Sequence, residues 1–262
     1  MNLTIIGYGF VGKALDSMLE KAHNTTIVDP AYTDNAIPRD SDGYVICLPT
    51  PSAEDKSCDM SIIVDVLDSL PHKAAVLIKS TISLEGWEML KHVFPNKSIC
   101  FSPEFLRAET ADEDFKNMDY TIIAGDPKDT EFWNNWFKQQ VCWVDLEIYN
   151  CPVPEAITLK YAENSYLALK VSFFNQVYDL CEAVGMNYET VCSGVTSDSR
   201  IGNSHTQVPG FDNDRGFGGT CFPKDLNSLI VQMESNGVPA DMLKSVWSYN
   251  QQIRTVIDWA VT

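Results

Sequence analysis

The stretch from Leu3 to Asp29 limits the fold of this chain more than any other. Leu3-Thr4-Ile5-Ile6 is a short β-type run, Gly7-Tyr8-Gly9-Phe10-Val11-Gly12 follows, and Ala14, Leu15, Met18 and Leu19 then recur at helical spacing. A second β-type run, Thr25-Thr26-Ile27-Val28, ends at Asp29. Glycines at GxGxxG spacing allow a tight turn and a close approach of pyrophosphate, and the helix that starts there offers its free N–H groups to phosphate. An acid about 20 residues past the first glycine accepts from a ribose 2′-hydroxyl and repels a 2′-phosphate. The stretch predicts a dinucleotide-binding βαβ unit. Gly7, Tyr8, Gly9, Phe10, Val11, Gly12 and Asp29 lie at the cofactor, which is NAD rather than NADP.

Strand and helix patterns go on alternating. Strands are expected at 44–48, 75–79, 98–101, 120–124 and 141–144, and helices near 61–70, 84–93 and 130–139. This is the pattern of an α/β fold, a Rossmann-type doubly wound parallel sheet. Ligands of such sheets bind beyond the carboxyl ends of the strands, where the chain carries Thr50-Pro51, Lys79-Ser80-Thr81 and Ser102-Pro103-Glu104-Phe105-Leu106. At Asn150-Cys151-Pro152-Val153-Pro154 the pattern changes. A helix from about 155 to 184 ends at Gly185, a shorter one lies near 188–192, and a last one runs from about 240 to 259. The expected architecture is a dinucleotide domain, residues 1–150, and an all-α domain, residues 151–262, joined through the long central helix. The active site is expected in the cleft between them.

A second glycine-rich stretch, Gly216-Phe217-Gly218-Gly219-Thr220-Cys221-Phe222-Pro223-Lys224-Asp225, precedes an apolar-periodic run. Its glycines are expected to bring the backbone close to a ligand, and Pro223 reads as a first-turn helix residue. A thiol just ahead of a helix, with a lysine nearby, is favoured as thiolate, the reactive form of cysteine. Cys221 is therefore read as a nucleophile. Lys160, Asn164 and Asn175 fall on one stripe of the central helix, and the residues alone leave open whether that stripe is functional or a solvated edge.

Composition narrows the function classes. A net charge of −17 argues against nucleic acid and anionic membrane surfaces as partners. The eight cysteines form no CxxC pair, and no metal-ligand spacing is present. No apolar run approaches the roughly 18 residues of a membrane span, and no leader precedes the first strand. A cytoplasmic protein with reduced thiols is expected. His23, His72, His92 and His205 fit no triad. Trp133, Trp136 and Trp143 read as core or interface aromatics, Cys47, Cys100, Cys142 and Cys181 as packed thiols, and Glu109–Asp114 as a solvated helix start.

Taken in order, these motifs resemble the nucleotide-sugar 6-dehydrogenases, the UDP-glucose/GDP-mannose dehydrogenase family. The resemblance rests on the opening glycine motif, Thr50-Pro51-Ser52, Lys79-Ser80-Thr81, Ser102 to Arg107, Lys160 to Asn164, Arg200-Ile201-Gly202 and Gly216 to Asp225. It implies oxidation of a sugar C6 alcohol to an acid with two NAD reduced per turnover and UDP-glucose as the substrate. Cys221 would form the thiohemiacetal and thioester, while Lys160 and Asn164 stabilise the oxyanion at C6. Asp225 and Thr81 would position water, and Glu104 would accept a proton. Thr50, Pro51, Thr81 and Lys224 would meet the cofactor. Glu104, Phe105, Leu106, Lys160, Asn164, Gly210, Phe211, Phe217 and Gly218 would line the sugar. Arg200 would reach a neighbouring subunit's sugar, which implies a homodimer built on the central helix.

The sequence departs from the family where an acid is expected at Ala108 and stands instead at Glu109. It also departs at Ile82-Ser83, where relatives have a proline, and in lacking a helical insertion between Asp29 and Ile46. The matched motifs end before the family's second α/β domain, which holds the nucleotide, so a short form is expected. A single-step β-hydroxyacid-type dehydrogenase and an NAD-binding remnant remain as alternatives.

Overall fold

The computed structural model describes residues 1–19, 24–53, 58–107, 110–140 and 146–259. Two compact units result, one comprising residues 1–51 and 58–160, the other residues 52–57 and 161–262. The division between these units falls inside the central helix.

The first unit is built on a seven-stranded sheet in the order β2-β1-β3-β4-β5-β6-β7. Its strands are β1 (Asn2–Ile6), β2 (Asn24–Val28), β3 (Gly43–Ile46), β4 (Ala75–Ile78), β5 (Ser98–Phe101), β6 (Tyr120–Ala124) and β7 (Glu147–Cys151). Between them stand α1 (Phe10–Met18), α2 (Ser61–Ser69), α3 (Leu84–Val93), α4 (Ala111–Lys116) and α5 (Pro127–Gln140). Side chains alternate across a strand. Val45, Leu77 and Cys100 join Leu15, Met18, Phe115, Trp133, Trp136 and Phe137 in one apolar core. Their neighbours Tyr44, Ile46, Val76, Ile78 and Phe101 are buried as well, so both sheet faces are covered, as parallel strands require. Trp133 and Trp136 are core aromatics, and Cys100 is a packed thiol. His23, Ala108, Glu109, Cys142 and Trp143 lie outside the described residues.

Two expectations for this sheet need correction. β1 to β5 run parallel, but β6 meets β5 antiparallel through the single pair Phe101↔Ala124, and β7 follows β6 in parallel. A parallel return needs a crossover along the sheet face. Among the described residues the only helix between β5 and β6, α4, has six residues and packs against α1. The strand expected at 141–144 lies outside the described residues, and the last strand seen is β7. Its sequence, Glu-Ile-Tyr-Asn-Cys, shows the mixed burial of an edge strand and no clean alternation. In the acidic helix start Glu113 is exposed and Asp114 is half-buried and bound by Arg107, with Phe115 just beyond it in the core.

The central helix, α6 (Val153–Val184), is closed by Gly185 at φ +70°. The second unit continues with α7 (Tyr188–Thr196), α8 (Phe222–Ser235) and α9 (Asp241–Ile253). Ala168, Phe217, Leu226, Ile230, Ala240 and Leu243 form one core cluster; Phe174, Cys181 and Tyr188 form another. The last helix stops at Ile253 and not at Trp259. The Asp214 carboxylate takes the amides of Thr255 and Val256, which a longer helix would have bonded internally.

Candidate active site

In the first unit the glycine turn lies between β1 and α1. Gly7 has φ +93°, and a Cβ there would lie 2.4 Å from the Cys47 carbonyl oxygen. A Cβ on Gly12 would lie 2.2 Å from the Gly7 carbonyl oxygen. Both glycines are fixed by the turn's own packing. Gly9, the residue that caps α1, faces open space, and nothing would crowd a Cβ there. This open residue at a helix N-terminus suits a phosphate. Asp29 directly follows β2 and accepts from Tyr8 N at 2.6 Å through Oδ2 and from Ala31 N at 2.8 Å through Oδ1. Each carboxylate oxygen has a second lone pair, so the pair can still receive ribose hydroxyls. The residues present fit a dinucleotide with an unphosphorylated ribose.

The loops after β3, β4 and β5 are stitched together. Ser80 Oγ accepts from Leu48 N at 2.8 Å, next to Thr50, which is buried, and Pro51. The Thr81 carbonyl accepts from Cys58 Sγ. Lys79, buried at the end of β4, donates to Ser102 Oγ at 3.2 Å. Its Nζ also stands 3.0 Å from Glu104 Oε2, an ion-pair contact without hydrogen-bond alignment. Glu104 Oε1 accepts from Phe105 N. Glu104 is thus held between a buried ammonium and its own loop. Sequence reasoning quoted Lys79 only as part of a motif; a lysine in a strand-end loop gives no sign of its burial. Packed against the sheet core, the Cys47 thiol is pushed up to about 12 by burial, with Lys79 pulling it down and Glu104 pushing it up by lesser amounts. It is a poor nucleophile. Lys160, also buried, sets its Nζ 5.0 Å from the centre of the Phe105 ring. Leu106 packs against the apolar core.

In the second unit Cys221 caps α8 and is exposed, with Pro223 in the first turn. One turn in, Asp225 is 1% exposed. Its Oδ1 accepts from Lys224 Nζ at 2.6 Å and its Oδ2 from Asn164 Nδ2 at 2.5 Å. Asn164, Lys224 and Asp225 therefore form one cluster, and the Asp225 amide bonds the Cys221 carbonyl at 2.8 Å. The polar stripe on α6 is not a solvated edge, since Lys160, Asn164 and Asn175 are all buried. Asn175 accepts from Arg215 Nε and from Gly216 N.

Other expected sugar contacts divide. Phe211 is almost fully exposed, and Gly210 is part of a turn closed on Asp214. Phe217, by contrast, buries its ring in the core, and both of its peptide groups are bonded to Asn250. It has no ring surface left for a sugar. Of the glycines around it, Gly219 faces open space, while the other two are crowded by side chains. A Cβ on Gly216 would lie 2.2 Å from Asn250 Oδ1, and one on Gly218 would lie 2.0 Å from Arg254 Nη2. Asn250 and Arg254 were missed in the sequence because an asparagine and an arginine on an amphipathic helix give no signal of their targets. Arg200 is exposed and forks onto Asp198, which holds that carboxyl below its usual range. Among the described residues no group of three or more His, Cys, Asp or Glu side chains could hold a metal ion, and no helix is long and apolar enough to cross a membrane.

Fold and site define an α/β dinucleotide protein whose helical unit presents a thiol at a helix start. Residues 13–140 match the NAD binding domain of the UDP-glucose/GDP-mannose dehydrogenase family and residues 154–252 match its central domain, so the chain belongs to that family. It is 27% identical to a UDP-glucose 6-dehydrogenase of Rickettsia felis, over 96% of this chain and 65% of that protein. The chain thus spans about two thirds of the length of that relative. A UDP-glucose dehydrogenase structure from Pyrobaculum islandicum superposes with a TM-score of 0.80 at 26% identity, covering 96% of this chain and 68% of that one. A 3-hydroxyisobutyrate dehydrogenase from Mycobacterium tuberculosis shares the fold, with a TM-score of 0.73 at 17% identity, over 99% of this chain and 97% of that one.

Proposed function

We propose that the chain is an NAD-dependent nucleotide-sugar 6-dehydrogenase that oxidises UDP-glucose to UDP-glucuronate. The observation that carries the reading is the exposed Cys221 at the start of α8, one turn from a buried Asp225 bonded to both Asn164 and Lys224. Gly9 and Asp29 would hold NAD, which would supply one hydride acceptor for each of the two oxidations. Glu104 takes the proton of the C6 hydroxyl as the alcohol becomes an aldehyde. The Cys221 thiolate adds to the aldehyde carbon, forming a C–S bond, and the oxygen that gains charge is stabilised by Lys160 and by the Asn164 amide. Loss of a second hydride from that carbon leaves a thioester. Water, positioned by Asp225 and Thr81, cleaves the C–S bond and releases the acid and the thiol. Thr50, Pro51 and Lys224 contact the cofactor; Phe105, Leu106 and the loop at Gly210 and Phe211 face the sugar.

The chain is further proposed to act in the cytoplasm as a homodimer with Arg200 reaching the second site. All described cysteines are free thiols, which suits a reducing compartment. Tyr166, Phe173 and Leu180 are spaced by seven along α6 and are 60%, 54% and 57% exposed. With Ala162, Leu169, Gln176 and Ala183 at the interleaved positions, they make a heptad seam of the kind helices pair through, with one polar residue in it.

Progress of NADH formation against uronate formation tests the reading. Two NADH per UDP-glucuronate are expected, and Cys221→Ser should cut acid formation by at least about 10³-fold while leaving NAD affinity intact. A Cys221→Ser enzyme that makes acid at the parent rate rejects it. The near full-length likeness to the hydroxyisobutyrate enzyme favours single-step oxidation as a second reading. That reading predicts one NADH per turnover and indifference to Cys221.

A further inference from the structure

Glycine-rich loops lose the most conformational freedom on ordering. The loop ahead of Cys221 contains three glycines, two of them, Gly216 and Gly219, at φ +70° and +74°. Left to itself, such a loop would present the thiol over a wide range of positions. In the structure residues 216, 217 and 219 are bonded by side chains from elsewhere in the same unit, and residue 218 is crowded by one. Asn250, 0% exposed in the last turn of α9, accepts from Phe217 N at 2.8 Å and donates to Phe217 O at 2.9 Å. Arg254, four residues on, has a side chain only 1% exposed and lies flat against the space that a Cβ on Gly218 would fill. Four residues further, Asp258 Oδ2 accepts from Gly219 N at 2.9 Å and from Arg254 Nη2 at 3.1 Å. Successive loop residues 217, 218 and 219 therefore meet successive residues 250, 254 and 258.

The brace is itself anchored. Arg254 Nη2 donates to Asp212 Oδ2 at 2.6 Å, and Arg254 Nε donates to Val256 O. Asp214 fastens Thr255 and Val256 by their amides and also accepts from Arg215 N. Burial alone would raise the Asp214 carboxyl, yet the amides of Val256, Arg215 and Thr255 and the Thr255 hydroxyl hold it below its usual range. At the other end of the loop, Asn175 takes Gly216 N, and Arg215 is paired with Asp179 at 2.7 Å.

We infer that Asn250, Arg254 and Asp258 are positioning residues that fix the glycine loop and so determine where Cys221 is presented. The inference rests on the proposed reading of Cys221 as the nucleophile. Ordering the loop in advance removes that entropy from the step in which the thiolate meets the aldehyde.

The test compares the full chain with Asp258→Ala and Asp258→Asn, at a half-buried residue beyond the end of α9, and with Arg254→Lys, which keeps the charge but loses the flat fork. Amide exchange of residues 216–221 is measured by mass spectrometry, together with kcat and NAD affinity. In Asp258→Ala and Arg254→Lys, exchange in this segment is expected to rise about tenfold or more over that of α8. kcat should fall about tenfold at unchanged NAD affinity, and Asp258→Asn, which keeps an acceptor oxygen, should recover most of it. Unchanged loop exchange overturns the inference. So does faster loop exchange at the parent kcat, or a rise in exchange shared equally by α8, which a merely structural role would give. Exchange needs no substrate. A parent chain without dehydrogenase activity would therefore defeat the proposed function and leave the brace to be decided by exchange alone.

Discussion

At the start of α1 a Cβ on Gly9 would meet nothing within 4 Å, whereas just ahead of α8 a Cβ on Gly218 would lie 2.0 Å from a buried guanidinium. The two glycine-rich turns look alike on paper, each running into a helix N-terminus. In the first, Gly7 and Gly12 are crowded by main chain, and the middle glycine is left open for something from outside. In the second, Gly216 and Gly218 are filled by Asn250 and Arg254, and the group offered outward is a side chain, the Cys221 thiol. One turn leaves its middle glycine open and the other is braced by side chains. A glycine motif alone does not say which, because a missing Cβ makes room equally for a ligand and for the protein itself.

The largest effect that separates the two turns is expected at Gly7. Gly7→Ala combines positive φ with a contact to rigid main chain at Cys47 and should lower stability by about 3 kcal/mol while abolishing NAD binding. Urea unfolding and calorimetric titration with NAD measure both, and an unchanged unfolding midpoint would remove the crowding argument. A smaller effect is expected at Gly9. Gly9→Ala should change stability by less than about 1 kcal/mol yet weaken NAD about tenfold, or roughly 1.4 kcal/mol. Retained NAD affinity would break the contrast, since the open glycine would then not be the cradle.

The smallest effect concerns the other arginine that ties down a loop. Arg107 is 63% exposed and grips Asp114, holding that carboxyl at about 2 through its side-chain hydrogen bonds, with burial opposing. The folded value lies below the unfolded one of about 4. The contribution is therefore present above pH 4 and is lost as pH falls towards 2. Because the pair is largely solvated, it should amount to no more than about 1 kcal/mol. Asp114→Asn should flatten the fall in urea midpoint between pH 5 and pH 2.5 by that much. An equal fall in both proteins would mean that the exposed fork contributes nothing.

Much of the first unit could be read along the chain. The order strand, GxGxxG, helix, strand, acid is local, and local order is what periodicity records. The structure puts Asp29 directly on the Tyr8 amide, as that order requires. β7 escaped because an edge strand carrying Glu147 and Asn150 shows no burial pattern. The reversal at β6 escaped because strand direction depends on the path of the connection and not on strand composition. In the second unit, Cys221, Lys224 and Asp225 were legible as a contiguous motif. The burial of Phe217 was not legible because a ring beside three glycines can turn either way, and here it turns into the core.

The sequence by itself determined the α/β pattern, the cofactor cradle and the presence of a thiol at a helix start, since each is set by residues within a few turns of one another. Only the tertiary structure decided the long-range partnerships. Asn164 was joined to Asp225 across 61 residues and Lys79 was set beside Glu104 in a buried pair. Asn250, Arg254 and Asp258 were brought onto a loop some 33 to 39 residues away, which no spacing rule connects to them. Burial gives these contacts their weight, because a polar group removed from water must find its partner wherever the fold places one.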